Sequence, residues 1–193
     1  MELSPKFYHW LVRPKWFSKK YISTHLNSNY CFKHKYVLDF GCGIGTNCTN
    51  FTPNHYLGVD CDLKRVSYAR DRHPAHHFEA IEGAHLPVSD GVVDYVVIIS
   101  VIHHISRWEI VEYLSEFKRV LKPGGKVIMM EPCISENSSL RNRFMCLIDR
   151  GKYIRSQKEY MALFDQHCFK TKAVERYNQL VVYKKIIIEA SPI

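Results

Sequence analysis

The sequence predicts an α/β fold: a doubly wound, mostly parallel sheet with helices on both faces and an antiparallel hairpin at its C-terminal edge. Three observations carry that expectation. Short apolar runs alternate with segments of helical spacing. Two Ser-x-x-Glu capping boxes, "SRWE" (106–109) and "SQKE" (156–159), mark where helices open. The chain then closes on two strand-like segments in succession, which departs from strict alternation.

Taken in order, "YVLDF" (36–40) is a short apolar run with an acid near its end and glycines after it, so it reads as a buried strand feeding a turn. "HYLGVD" (55–60) is a second such strand, also ending in an acid. "DLKRVSYARDR" (62–72) has helical spacing, with Asp62 as N-cap and Leu63, Val66 and Ala69 expected to face inward. "VDYVVIIS" (93–100) is a nearly continuous β-branched run, suited to a strand covered on both faces. The first capping box opens a helix running to about Leu121, which "KPGG" (122–125) stops before the strand "KVIMMEP". The second opens a helix to about His167. "FKTKAVERY" and "LVVYKKIIIEA" form the closing hairpin.

A length of 193 residues, 46% apolar and 24% charged, fits a single domain over 1–193. No apolar run reaches bilayer-spanning length, and charge and proline break "MELSPKFYHWLVRPKW", so a cytoplasmic protein is expected. Seven cysteines, an odd count without a C-x-x-C pair, argue against a disulfide framework and a zinc knuckle; no metal is expected. The net charge of +8 suits nucleic acid, anionic lipid or an acidic substrate. Much of it precedes the glycines, where Lys6, Arg13, Lys15, Lys19 and Lys20 interleave with Phe7, Tyr8, Trp10, Trp16 and Tyr21.

The segment "YVLDFGCGIGTNC" (36–48) carries the chemistry. In open α/β sheets ligands sit at the carboxyl ends of the strands, near the topological switch point, and this loop follows the first strand. A Walker loop would need G-x-x-x-x-G-K-[ST], which is missing. A dinucleotide loop would need its third glycine one residue later, where Thr46 stands. Electrostatics decides against phosphate more firmly. Asp39, two residues before Gly41, would repel a pyrophosphate but suits a ligand with a cationic amino group.

On these residues the loop resembles the first motif of the class I S-adenosylmethionine-dependent methyltransferases. "YLGVD" resembles their second motif, and "IEGAHLPVSDGVVDYVVIISVIHHI" and "FKRVLKPGGKVIM" resemble later stretches of the type 11, ubiquinone/menaquinone-biosynthesis-like branch. The resemblance covers roughly residues 30–131 and the terminal hairpin. It implies a Rossmann-like, seven-stranded sheet and S-adenosyl-L-methionine as cofactor. By it, Asp39, Gly41, Cys42, Gly43 and Gly45 form the loop site, and Asp60, about 19 residues after Gly41, takes the ribose hydroxyls, with Cys61 beside it. Glu82 would accept the adenine amino group, Gly83 would offer a backbone N–H, and Ser100 would complete the cofactor set.

Methyl transfer is an in-line displacement in which alignment does much of the work, and a general base is needed only where the nucleophile must lose a proton. His103 and His104 follow the fourth strand and titrate near neutrality, so either could be that base; shaping the pocket is the competing role, and His104 is the stronger base candidate. Glu131, ending the fifth strand, could orient or deprotonate a polar acceptor. His85 is read as a surface residue. In the family the segment after this strand helps roof the substrate pocket, here an insertion at 132–155 carrying Arg141, Arg143, Arg150 and Tyr153.

The acceptor is read as a small molecule, lipid-like or aromatic. An rRNA or tRNA substrate and a non-catalytic cofactor-binding domain remain as alternatives. Base-amine methylation goes with an Asn/Asp-Pro-Pro-aromatic motif where this chain reads "SVIHH", and Cys133 in "EPCIS" is no clear C5-methylating nucleophile. Two uses fit the N-terminus (1–30): a lid over the cofactor lined by Phe7, Trp10, Leu11 and Tyr21, or an arm whose residues 5–22 contact anionic membrane.

Overall fold

The apolar runs become strands where burial can satisfy them. A computed structural model describes residues 19–134, 152–179 and 183–193. Its strands are β1 (Val37–Phe40), β2 (Tyr56–Asp60), β3 (His77–Ala80), β4 (Val93–Ile99), β5 (Leu121–Pro132), β6 (Phe169–Gln179) and β7 (Tyr183–Pro192). The α-helices are α1 (Thr24–Asn29), α2 (Leu63–Arg72), α3 (Arg107–Val120) and α4 (Gln157–Asp165). The strand order is β3-β2-β1-β4-β5-β7-β6. Strands β1 to β3 pair in parallel, as do β4 and β5, while β7 runs antiparallel to both β5 and β6. This is the seven-stranded mixed sheet with an antiparallel C-terminal edge that the sequence predicts. The chain divides into two compact units, Met1–Pro87 and Val88–Ile193.

In the first unit β1 and β2 are buried along their whole length. The β1–β2 connection carries no α-helix: Cys48 lies on a single 3₁₀ turn, Cys48–Asn50. Asn47, Asn50, Thr52 and Pro53 explain this. Short polar side chains compete for backbone hydrogen bonds, and the Asn50 amide group donates to the Asn47 carbonyl. Proline then opens a second 3₁₀ turn, Pro53–His55.

Helix α2 begins where Asp62 accepts hydrogen bonds from the Lys64 and Arg65 amides, the predicted N-cap. Val66 and Ala69 are buried as expected, but Leu63 is 63% exposed. At about 100° per residue, Leu63 sits roughly 60° from Val66 and 120° from Ala69, beyond the buried stripe. Strand β3 was not marked in the sequence, because only Phe78 of its four residues is buried. At the edge of the sheet it needs no continuous apolar run.

In the second unit both capping boxes form, with reciprocal bonds between Ser106 and Glu109 and between Ser156 and Glu159. These bonds hold both glutamate carboxyls below their ordinary range. Helix α3 stops at Val120, yet β5 already starts at Leu121, opposite Val93. Lys122–Gly125 then form an irregular excursion, with Gly124 at φ +80°, before pairing resumes at Tyr95 opposite Lys126. The "KPGG" signal thus ends the helix but bulges the strand instead of preceding it. Among the described residues no helix is long and apolar enough to cross a membrane.

Candidate functional site

The first unit holds the glycine loop and two buried carboxylates. Beyond Phe40 the Gly41 and Cys42 amides both donate to the Val59 carbonyl, at 2.8 and 3.0 Å, so the loop leaves β1 still tied to β2. Gly41, Gly43 and Gly45 all have positive φ, at 74°, 56° and 74°. At Gly45 a Cβ would also stand 2.9 Å from the Phe78 ring, so both backbone and space require glycine there.

Asp60 closes the loop. Its Oδ2 accepts a 2.8 Å bond from the Gly43 amide, and its Oδ1 accepts a 2.9 Å bond from the Asp62 amide. The residue predicted to grip a ribose thus already organises the loop and the start of α2. Each carboxylate oxygen has two lone pairs, so capacity for hydroxyls remains. Asp39 is buried in β1 and accepts a 2.8 Å bond from the Tyr56 hydroxyl. Tyr56 was not marked in the sequence, where it reads only as the first apolar residue of a strand. Its ring stacks on Phe51 and meets Phe78 edge-on. Burial, then the Asp39 charge, pushes its phenol well above the ordinary range, so it stays a donor.

The thiols report the same field. Burial first, then Asp39 and Asp60, raises Cys42 well above its ordinary value. Burial and Asp39 push Cys48 up to about 12. Cys61 is exposed and is raised by burial and by Asp60. These thiols are protonated at neutral pH, which removes thiolate chemistry from the loop. Glu82 and Gly83, the predicted adenine contacts, are exposed beyond β3, with Gly83 at φ +70°. His85 is exposed, as expected.

The second unit holds the other candidates. Ser100, after β4, adopts φ +58°, and a 3₁₀ turn, Ile102–His104, follows. Glu131 supports this turn: its Oε1 accepts from the Val101 and Ile102 amides at 2.7 and 2.9 Å, and its Oε2 lies 2.5 Å from His103 Nδ1. Burial pushes the Glu131 carboxyl up, but His103, Lys185 and the Val101 amide outweigh it and hold the group below its ordinary range.

His103 and Glu131 are completely buried against one another. Both side chains tie β5 to the turn that follows β4, and neither is open to solvent. His104 is exposed, with its ring 4.0 Å from that of His103.

Arg155 and Lys185, which the sequence did not single out, complete this region. Arg155 donates to the Ile102, Tyr153 and Ile105 carbonyls, each at 3.0 Å, and the Tyr153 amide donates to the His103 carbonyl. The Lys185 ammonium donates a 2.6 Å bond to Ser100 Oγ. Both come from segments far along the chain, and no local spacing signals their arrival. Arg141, Arg143 and Arg150 lie outside the described residues. Among the described residues no cluster of three or more His, Cys, Asp or Glu could hold a metal ion.

With this geometry in hand, the comparisons converge on one kind of protein. Residues 38–129 match the family described as "Methyltransferase domain" (Methyltransf_11). Residues 38–129 are thus similar to methyltransferase domains of the class I, type 11 kind, a family that uses S-adenosylmethionine. Over 98 residues it is 35% identical to a probable S-adenosylmethionine-dependent methyltransferase of Mycolicibacterium smegmatis, covering 50% of this chain and 37% of that protein. Over 97 residues it is 34% identical to a demethylmenaquinone methyltransferase of Streptomyces griseus, covering 49% and 41%. The chain thus spans less than half the length of these curated relatives. Among solved structures, the PH0226 protein of Pyrococcus horikoshii superposes with a TM-score of 0.71 over 96% of this chain and 95% of that one, at 22% identity.

Proposed function

We propose that the chain transfers a methyl group from S-adenosylmethionine to a small-molecule acceptor, lipid-like or aromatic. The observation that carries this reading is the pair of buried carboxylates, Asp39 and Asp60, at the glycine loop. Two fixed negative charges beside a phosphate site would be self-defeating, whereas they complement a cationic amino acid nucleoside. The donor set fits that group: a carboxylate for the amino group, a carboxylate for the ribose hydroxyls and exposed backbone for the adenine.

In this reading Asp39 holds the amino group, and Asp60 takes the ribose hydroxyls while keeping Gly43 in place. Gly41, Cys42, Gly43 and Gly45 form the cradle, with Cys61 beside Asp60. Glu82 and Gly83 meet the adenine, and Ser100 completes the set. The cofactor, when bound, supplies an electrophilic methyl on a sulfonium. His104 takes a proton from an oxygen or carbon acceptor, while Glu131 and His103 hold the turn that presents it. Residues 5–22, of which 5–18 lie outside the described residues, would contact anionic membrane or close over the site. The demethylmenaquinone relative supports an amphiphilic acceptor.

The test is release of S-adenosylhomocysteine over a panel of quinone, fatty acid, phenol and RNA acceptors. Turnover on an amphiphilic small molecule supports the reading. Turnover on RNA alone replaces the acceptor class, and cofactor binding with no turnover on any acceptor favours a non-catalytic binding domain.

A further inference from the structure

Lys185 is a lysine in a strand of isoleucines. It lies on β7 opposite Pro132 and next to Ile186, Ile187 and Ile188, and it is only 6% exposed. A buried ammonium is costly unless it is paired and hydrogen-bonded. Its Nζ donates to Ser100 Oγ at 2.6 Å, and its charge acts on the buried Glu131 carboxylate.

Ser100 explains what the pairing achieves. At φ +58° it occupies the left-handed region, which a residue with a Cβ keeps only when its surroundings over-determine it. The Ser100 amide is fixed on the Met130 carbonyl. The next two amides are fixed on Glu131. The Ser100 side chain is fixed by Lys185. We propose that Lys185 is a positioning residue: by holding the Ser100 hydroxyl it fixes the left-handed bend that delivers residues 101–103 onto Glu131. The cation also balances the Glu131 carboxylate, so one side chain serves both the bend and the acid that receives it. In its enzymatic consequence this rests on the methyltransferase reading, because Ser100 is there a cofactor residue; in its structural consequence it does not.

The experiment separates the two. In labelled full-length protein, K185M should shift the Val101, Ile102 and His103 amide resonances while the fold melts cooperatively, and K185R, which keeps a cationic donor, should return them towards wild type. In turnover assays K185M should raise the KM for S-adenosylmethionine about tenfold with kcat changed less than about threefold. Glycine adopts φ +58° without strain, so K185M/S100G should return the Val101 and Ile102 amide resonances towards wild type. If K185M does not fold, S100A removes the same hydrogen bond from the other side and should move the same amides. Wild-type amide positions in a folded K185M or in S100A overturn the proposal. A wild-type protein that neither binds nor turns over the cofactor sinks the methyltransferase reading, while the amide shifts still decide the role of Lys185.

Discussion

The Tyr56 hydroxyl donates a 2.8 Å hydrogen bond to the Asp39 carboxylate inside the first unit. It binds the acid predicted for the cofactor amino group to an aromatic cluster of Phe51, His76 and Phe78. The phenol stays protonated because burial and the Asp39 charge raise it together. Y56F keeps the ring packing and removes one charge-assisted bond. It should lower stability by about 1.5–3 kcal/mol in chemical denaturation. A variant as stable as wild type would show that Asp39 does not depend on this partner.

Asp60 should be less replaceable than a simple ribose ligand. D60A should weaken S-adenosylmethionine binding by about 1–3 kcal/mol in calorimetry, since hydroxyls lose their acceptor. D60N should not rescue it. An amide offers one acceptor oxygen where the Gly43 and Asp62 amides need two. Unchanged affinity in D60A would refute the assignment.

The Glu131–His103 pair makes a pH prediction. The Glu131 carboxyl is held below its ordinary value of 4.5 in the folded chain. A depressed carboxyl stabilises the fold fully above its unfolded value and loses that contribution as pH falls through the folded one. E131Q removes one partner of a buried ionic group and should cost about 3–5 kcal/mol near neutrality. The stability gap between wild type and E131Q should then narrow below pH 4.5 in urea titrations. A gap that is constant with pH would show that Glu131 carries no such charge.

Thiol labelling separates the loop cysteines from the surface ones. In native protein at pH 8, iodoacetamide should modify the exposed Cys31 and Cys168 well before the buried Cys42 and Cys48. Burial and the loop carboxylates suppress the thiolates of the latter pair. Early modification of Cys42, mapped by mass spectrometry, would contradict the field inferred at the loop.

Legibility in the sequence followed the range of each interaction. The helix starts at Asp62, Ser106 and Ser156 were readable because a cap and its partner lie within one turn. Strands β1, β2 and β4 were readable because burial on both faces imposes apolar runs. Strand β3 needs one buried side chain and so left no pattern. The glycine loop was legible because positive φ demands a residue type. Tyr56, Arg155 and Lys185 were not, since each acts on a partner at least 17 residues away. For Glu131 and His103 the residues were visible, but their mutual burial was not.

Strand β7 follows both its neighbours in sequence yet lies between them, pairing with β5 on one side and β6 on the other. During synthesis the segment carrying Ile186, Ile187 and Ile188 emerges after β5 and β6, so neither can form its β7 ladder until then. Until it docks, the buried β5 stretch Val127–Met130 presents an unpaired apolar edge, a template for association with other chains. The same late segment brings Lys185. Completion of the sheet and delivery of that cation to Ser100 are therefore one folding event.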